Sequence, residues 1–171
     1  MLSRFKTEII NQKDLGNFFK IKYLPTFDFP HVEDVFRRTL ELAFDTEDAK
    51  ATRVIHACYD LKEEQYCGFL NLGTTTDIDD LVSIAIEFIF VEPTYRKRIF
   101  EELYGIKLSE YLLVDYVIDE IGTNVKESIG INTVALVPIA DKVRNIYEEM
   151  GFQSIPKSGK NEFEDWMVFA I

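Results

Sequence analysis

The chain of 171 residues is poor in cysteine and histidine, with two of each. Cys58 and Cys67 have neither the spacing of a metal knuckle nor the number of a disulfide scaffold, so we predict no metal site. The two cysteines would face each other across a hairpin centred on Lys62 and Glu63, which leaves a bridge under oxidising conditions geometrically open. Buried, reduced thiols are the expected state.

Long apolar runs and positive charge are also scarce. The first residues contain no hydrophobic leader core and no run approaches membrane-spanning length, so we expect a cytoplasmic protein without a membrane partner. The chain has 19 Lys and Arg against 30 Asp and Glu, a formal charge of -11. Because nucleic acids and anionic membranes reward clusters of Lys and Arg, this balance predicts no nucleic-acid partner. It leaves cationic amines open as substrates.

Apolar residues are plentiful, at 47% hydrophobic and 13% aromatic, which is enough for a packed core. The length and the absence of repeats or linkers predict a single domain over residues 1–171. The element order is one strand, helices, three strands, a long helix, a strand, a short helix and two strands. This order predicts a mixed α/β fold with helices on both faces of the sheet.

The first half of the chain supplies the early elements. Phe5–Asn11 reads as a strand, and apolar spacing from His31 to about Ala49 predicts a helix. Val54–Tyr59 and Tyr66–Leu72 form a predicted hairpin with a polar tip from Asp60 to Gln65. The link after it, Gly73–Asp80, is acidic and rich in turn residues.

The fold is organised around an apolar strand, Leu81–Val91, which leads through the basic loop Pro93–Arg98 into a long amphipathic helix. We expect that helix to reach Ile121 and to end at Gly122–Asn124. The first turn of a helix has unpaired N–H groups and a positive dipole end, so such a loop is suited to an anion. Its basic run, Arg96–Arg98, is the longest in the chain and suggests a phosphate ligand.

The remaining elements complete the sheet. Gly130–Pro138 reads as a buried strand, parallel to the strand before the long helix through a right-handed crossover. Asp141 begins a short helix that Gly151 stops. The segments Phe152–Ile155 and Trp166–Ile171 are the last two predicted strands.

The element order, the strand exit Val91–Arg96 and the segment Tyr147–Phe152 together resemble the GNAT superfamily of acetyl-CoA-dependent N-acyltransferases. The resemblance implies a mixed, mostly antiparallel sheet of about seven strands. It also implies that the two parallel strands, Ile84–Val91 and Val134–Val137, splay apart at their C-terminal ends. Acetyl-CoA would bind as co-substrate in the gap, with its pantetheine acting as a pseudo-strand.

By the same resemblance, Phe90 and Val91 would contact pantetheine through their main chains, and the loop after them would bind the pyrophosphate. The family's loop carries glycines, whereas Arg96–Glu101 has none. If about five extra residues are inserted near Ile99–Leu103, only Gly105 matches the family's loop. Either the charges of Arg96, Lys97, Arg98 and Lys107 replace backbone contacts, or tight cofactor binding is lost.

Candidate catalytic residues follow from the resemblance and from the pattern. Tyr147 matches a family tyrosine that protonates the departing CoA thiolate; the alternative is a tyrosine of the core. Glu87 lies within an apolar strand, where it would serve as a base through water or simply face solvent. His56 either faces the cleft or packs. Three acidic and three aromatic residues are further candidates for acceptor binding: Asp77, Asp79, Asp80, Tyr23, Phe27 and Phe29.

The sequence therefore predicts an N-acetyltransferase, a monomer or homodimer, that acts on a primary amine of a small molecule or a protein. No nucleophile motif is needed, because the amine attacks the thioester directly. A catalytically silent GNAT-fold binding or regulatory module is the alternative. A toxin-like acetyltransferase of aminoacyl-tRNA is a third possibility, disfavoured here by the acidic charge.

Overall fold

The fold is given by a computed structural model that describes residues 3–10, 54–138, 141–156 and 165–171. The predictions made for residues 11–53 therefore lie outside the described residues. They concern the helix from His31 to Ala49 and the aromatic candidates Tyr23, Phe27 and Phe29.

Within the described ranges, seven strands form one mixed sheet. They are β1 (Phe5–Ile9), β2 (Val54–Asp60), β3 (Gln65–Ile78), β4 (Leu81–Val91), β7 (Thr133–Leu136), β8 (Gln153–Ser154) and β9 (Met167–Ala170). Their order in the sheet is β1-β2-β3-β4-β7-β9-β8. β4 pairs with β7 in parallel, whereas β1 with β2, β7 with β9 and β8 with β9 are antiparallel. This arrangement confirms the predicted mixed, mostly antiparallel sheet with one parallel pair.

A separate two-stranded hairpin and a long helical stretch follow β4. The hairpin consists of β5 (Ile99–Phe100) and β6 (Ile106–Lys107). The helical stretch begins as α1 (Leu108–Glu110), continues as the π-helical segment π1 (Tyr111–Gly122) and ends as α2 (Thr123–Ile129). The last described helix is α3 (Asp141–Glu149). None of the helices in the described part is long and apolar enough to cross a membrane.

The acidic link predicted at Gly73–Asp80 is instead strand for most of its length, because β3 continues to Ile78. Three consecutive threonines lie in this stretch, and their β-branched side chains suit an extended, half-exposed strand. The turn is confined to Asp79 and Asp80, which both have positive φ, 50° and 60°.

The end of the long helix was also predicted wrongly. Gly122 lies within the helical stretch, where a Cβ would lie 2.9 Å from the Cδ1 of Ile171. This glycine therefore permits a close approach of the C-terminal residue and does not stop the helix. The stop is Gly130, whose φ of +77° closes α2 with an N–H donated to the carbonyl of Lys126 at 3.0 Å.

The chain divides into two compact units, Met1–Asn71 with Ile89–Ser109 and Leu72–Phe88 with Glu110–Ile171. The prediction of a single domain remains a prediction. The first unit has an aromatic core, in which Phe69 stacks on Phe90 at 5.1 Å and Phe5 packs edge-on against Phe100 at 5.0 Å. In the second unit, Ile78, Ala135 and Trp166 form a buried cluster.

Both cysteines are buried in the first core, as expected, and their reduced state stays a prediction. The Sγ of Cys67 donates to the carbonyl of Cys58 at 3.4 Å. A side-chain hydrogen bond with Cys58, and then burial, raise the pKa of Cys67, so its thiol is kept protonated.

Candidate functional site

A buried ion pair underlies the loop that follows β4. Arg4 precedes β1, and its guanidinium donates hydrogen bonds to the fully buried carboxylate of Asp60. The distances are 2.7 Å from Nη2 to Oδ2 and 3.0 Å from Nε to Oδ1. The backbone N–H groups of Lys62 and Glu63 donate to Oδ1 at 2.9 and 3.3 Å. Burial alone would raise the pKa of Asp60, but these hydrogen bonds, Arg4 first, hold it at about 2. Asp60 was predicted as the first residue of a polar hairpin tip and is instead a buried anion at the end of β2.

Tyr95 connects this ion pair to the loop. It ends the 3₁₀ turn Pro93–Tyr95, is 1% exposed, and its hydroxyl donates to Oδ2 of Asp60 at 3.0 Å. The same hydroxyl accepts from Nε2 of Gln65 at 3.0 Å. Burial raises the pKa of Tyr95 to about 12, so the hydroxyl keeps the proton that it donates.

Arg96 is fixed against the end of β4. Its Nε donates to the carbonyl of Val91 at 2.8 Å, and its guanidinium lies 5.2 Å from the ring centroid of Phe90. The structure thus brings three predicted site residues together in one unit. The carbonyl of Val91, expected to contact pantetheine, already accepts one hydrogen bond from Arg96.

Arg98 rests on the aromatic rings of the same unit. Its guanidinium lies 5.3 Å from the ring centroid of Tyr95 and 5.0 Å from that of Phe100. Arg98, Arg96 and Lys97 are all exposed. Because planar guanidinium groups stack on rings while their N–H groups stay available at the rim, the loop can present oriented positive charge to an anion.

The backbone N–H groups of this loop are largely used within the loop itself. Four of them, those of Thr94, Tyr95, Arg96 and Arg98, donate to groups of the loop at distances between 2.9 and 3.3 Å. These four N–H groups are therefore not available to bind an anion, as the backbone N–H groups of a glycine-rich loop would be. The loop offers an anion side-chain charges instead.

The residues inserted after the basic run form the β5–β6 hairpin, with Ile99 opposite Lys107 and Phe100 opposite Ile106. Gly105 has a φ of +81° and donates its N–H to the carbonyl of Phe100 at 3.0 Å, so it turns the hairpin. The prediction placed the long helix directly after the basic loop, but this hairpin lies between them and the helix begins at Leu108. The hairpin nevertheless returns the chain, so that Arg98, before β5, and Leu108, the first residue of α1, lie at its same open end.

The parallel ladder between β4 and β7 is short. It pairs Ile84–Ile86 with Val134–Leu136, where β7 ends, while β4 continues to Val91. Glu87 is the first residue beyond the ladder and is exposed. Its exposure fits the solvent-facing alternative better than the apolar setting considered for a general base.

Tyr147 lies in the second unit, on α3, and is half-buried. Its ring is tilted against that of Phe152 at 5.9 Å, and its carbonyl accepts the N–H of Phe152 at 3.0 Å. Gly151 makes this turn possible with a φ of +99°, and a Cβ there would lie 3.0 Å from the ring of Phe169. Burial raises the pKa of Tyr147, so it is protonated at neutral pH.

His56 and the acidic side chains of the described ranges do not form a metal site. His56 is 8% exposed on β2, consistent with the packing interpretation, and burial lowers its pKa to about 4. Across the described ranges, no three His, Cys, Asp or Glu side chains are arranged to hold a metal ion. His31 lies outside the described residues.

No family model matches the chain, and no curated protein sequence matches it. Solved structures do match. A KacTA–DNA complex is 12% identical with a TM-score of 0.67, covering 97% of this chain and 92% of that one. AtaTR bound with acetyl-CoA is 16% identical, TM-score 0.67, covering 99% and 94%. AtaT complexed with acetyl-methionyl-tRNAfMet is 15% identical, TM-score 0.64, covering 97% and 94%.

These neighbours correct one expectation. The prediction that nucleic acid is excluded as a partner is wrong, because KacTA was solved with DNA and AtaT with an acylated tRNA on the same fold. The physical reason is that net charge sums over the whole surface, whereas phosphate contacts depend on local clusters of Lys and Arg. Arg96–Arg98 is such a cluster within an acidic chain.

A further match names the fold. FdhC, described as a nucleotide-linked sugar GNAT, is 11% identical with a TM-score of 0.52, covering 98% of this chain and 87% of that one. At such low identity the similarity establishes the fold alone. The seven-stranded mixed sheet with its β4–β7 parallel pair agrees with it, and the chain has the fold of the GNAT acetyltransferase superfamily.

Proposed function

We propose that the protein is an acetyl-CoA-dependent N-acetyltransferase acting on a primary amine. The GNAT fold and the acetyl-CoA-bound AtaTR neighbour support acyl transfer at a general level. The single observation that carries the proposal is the loop after β4. In a chain of charge -11 it presents Arg96, Lys97 and Arg98 together, two of them oriented by aromatic rings.

The loop suits the diphosphate of acetyl-CoA. Guanidinium groups form paired, charge-assisted hydrogen bonds with phosphate oxygens, and three positive charges match a dianionic group. We assign diphosphate binding to Arg96, Lys97 and Arg98, with Gly105 shaping the hairpin beside them. Main-chain groups of Phe90 and Val91 would face pantetheine, and the bond from Arg96 to the Val91 carbonyl would link the two subsites.

The thioester of acetyl-CoA supplies the activated acetyl group. Tyr147 would act as the general acid, because its raised pKa keeps a proton on the hydroxyl at neutral pH. Because Glu87 faces solvent, we assign it only the uptake of the amine proton relayed by water, without direct contact with the amine. Neither role requires a covalent intermediate on the protein, in keeping with the absence of a recognisable nucleophile motif.

For the acceptor, the first class to test is the α-amine of an aminoacyl-tRNA. AtaT was solved with acetyl-methionyl-tRNAfMet, and the run Arg96–Arg98 shows that this acidic chain can carry a local cluster of positive charge. Small-molecule and protein amines remain the other two classes. Release of free CoA thiol, measured with each class in turn, discriminates among them.

Binding is tested by calorimetric titration with acetyl-CoA. The variant Arg96→Gln with Arg98→Gln should bind at least about tenfold more weakly, since each lost charge-assisted contact costs on the order of a kilocalorie or more. The matched control, Lys62→Gln with Lys142→Gln, removes the same charge from two other exposed sites and should bind normally. Equal weakening in both variants would mean that the loop acts only through the net charge of the protein and not by contacting the diphosphate. If the wild type does not bind acetyl-CoA, the proposal is rejected.

Turnover is tested with Tyr147→Phe. The variant should lower kcat far more than it weakens acetyl-CoA binding, because only the transferable proton is removed. Tyr104→Phe, which alters a hydroxyl on a residue that is 96% exposed, is the control and should behave as the wild type. Unchanged kcat in Tyr147→Phe would remove that residue from the acid role, and binding without turnover of any acceptor class would make the protein a silent binding module.

A further inference from the structure

We propose that Tyr95 is a positioning residue for the donor site: its hydroxyl ties the loop carrying Arg96 and Arg98 to the buried Arg4–Asp60 pair and thereby sets the affinity for acetyl-CoA. The inference rests on the proposed function. Tyr95 is 1% exposed, so it acts through the loop and does not meet the ligand itself.

The first support is a continuous set of hydrogen bonds from β1 to the loop. Arg4 holds Asp60 with three contacts of 2.7 to 3.1 Å, and Asp60 accepts the hydroxyl of Tyr95 at 3.0 Å. Gln65 donates to the other side of that hydroxyl at 3.0 Å. Tyr95 and the next residue, Arg96, belong to the same tight turn, whose N–H groups bond within it. Fixing the hydroxyl therefore fixes the backbone from which the guanidinium group of Arg96 extends.

The second support is the aromatic platform under Arg98. Tyr95 stacks on Phe100 with ring centroids 5.9 Å apart and an interplanar angle of 23°, and the guanidinium of Arg98 lies over both. The guanidinium of Arg4 lies 5.2 Å from the Phe100 ring, on which Phe5 also packs. The same buried arginine thus braces the platform and, through Asp60, the hydroxyl.

Stability alone does not account for this arrangement. Replacing a buried ion pair by apolar side chains is often neutral or stabilising, so a charged pair with a tyrosine attached is weak evidence of a purely structural role. The hydrogen bonds of this arrangement instead fix the position of the loop. A polar bond at a fixed distance specifies one position of the loop, whereas an apolar contact tolerates sliding. Two guanidinium groups that must meet one diphosphate gain from that definition.

The test compares Tyr95→Phe with Tyr66→Phe. Both variants delete a tyrosine hydroxyl that bonds a carboxylate, Asp60 in the first case and Glu8 in the second, but only Tyr95 belongs to the loop. We expect Tyr95→Phe to raise the Kd for acetyl-CoA about fivefold, the equivalent of one hydrogen bond, while Tyr66→Phe leaves it unchanged. Denaturant unfolding of both variants establishes that the binding measurements are made on folded protein.

A double-mutant cycle with Arg98→Gln measures whether the effects of the two substitutions on Kd are additive. A purely structural role of Tyr95 would leave them additive. If Tyr95 acts through the basic loop, its effect on Kd shrinks once Arg98 is removed, so the two losses are not additive. The Tyr66→Phe and Arg98→Gln effects should add. Should Tyr95→Phe fail to fold, Gln65→Ala removes the exposed donor to the same hydroxyl and should raise Kd about twofold.

The outcomes are distinct. Wild-type protein without measurable affinity for acetyl-CoA removes the proposed function and this inference with it. Wild-type binding that weakens on loss of Arg96 and Arg98 but not in Tyr95→Phe overturns the positioning role and leaves the proposed function standing. Strict additivity of Tyr95→Phe with Arg98→Gln overturns the positioning role as well.

Discussion

Protonation of His56 should destabilise the fold between pH 6.5 and pH 4. The residue lies on β2 opposite Ile9 of β1 and is 8% exposed. Burial disfavours the imidazolium and lowers the pKa of His56 from 6.5 to about 4. The folded protein therefore carries a neutral imidazole over a range of pH in which the unfolded chain carries a charged one.

The sign of the effect follows from proton binding. Between pH 6.5 and pH 4 the unfolded state binds the extra proton, so the free energy of unfolding falls as the pH is lowered through this window. Stability from the neutral ring is fully present above pH 6.5. Each pH unit within the window costs at most about 1.4 kcal/mol, so lowering the pH from 7 to 4.5 should remove about 2.5 kcal/mol.

The assay is urea unfolding at pH 7, 6, 5 and 4.5 for the wild type and for His56→Gln. The other titratable groups are the same in both proteins, so the difference between the two curves isolates His56. We expect the wild type to lose about 2.5 kcal/mol more than the variant between pH 7 and pH 4.5. Parallel curves would refute the reasoning, since they would mean that the ring is solvated or charged in the folded protein.

Two further substitutions test close packing and unmet polar groups. Gly122→Ala should destabilise by about 1 kcal/mol although alanine favours helices, because its Cβ would lie 2.9 Å from Cδ1 of Ile171 and 3.2 Å from the carbonyl oxygen of Val117. Ile171→Ala should relieve part of this cost, and a gain in stability from Gly122→Ala alone would contradict the contacts. Asn71→Leu should stabilise by about 1 kcal/mol, because the fully buried amide of Asn71 has no hydrogen-bond partner within the described part of the chain; a loss in urea unfolding would show that the amide is satisfied.

Local pattern was sufficient where one signal dominated. β4 runs from Leu81 to Val91 as predicted, because an unbroken apolar run between turn residues has one economical solution. α3 begins at Asp141 and is followed by Gly151 in a left-handed conformation, as cap chemistry indicates. The parallel pairing of β4 with β7 followed from the crossover rule.

Pattern failed where a distant partner decides the outcome. Asp60 looks like a turn residue, and nothing near it in the chain reveals that Arg4, 56 residues earlier, draws it into the core. Gly122 looks like a helix stop until the contact with Ile171 is known. Tyr95 carried no sequence signal as a positioning residue, since its role depends on that same distant ion pair.

The hairpin within the candidate site was missed for a different reason. Ile99, Leu103 and Ile106 recur at a spacing that fits a helix, and the family resemblance favours a helix at this point. The positive φ angles of Tyr104 (59°) and Gly105 (+81°) close a hairpin instead. Gly105 was the one turn signal that the sequence offered here, and a single glycine does not distinguish a helix start from a hairpin turn.

The failure of the charge argument is physical and bears on the donor site. At physiological ionic strength, exposed charges more than about 8 Å apart are largely screened, so a formal charge of -11 says little about the potential at one loop. Two of the carboxylates near the basic run in sequence are hydrogen-bonded, Glu92 with Thr94 and Glu102 with Arg4. The potential at this loop depends on the local set of charges, in which Arg96, Lys97 and Arg98 follow one another, and not on the sum over the chain. An acidic chain can thus hold an anion or a polyanion at this loop, and the affinity should fall as salt is added.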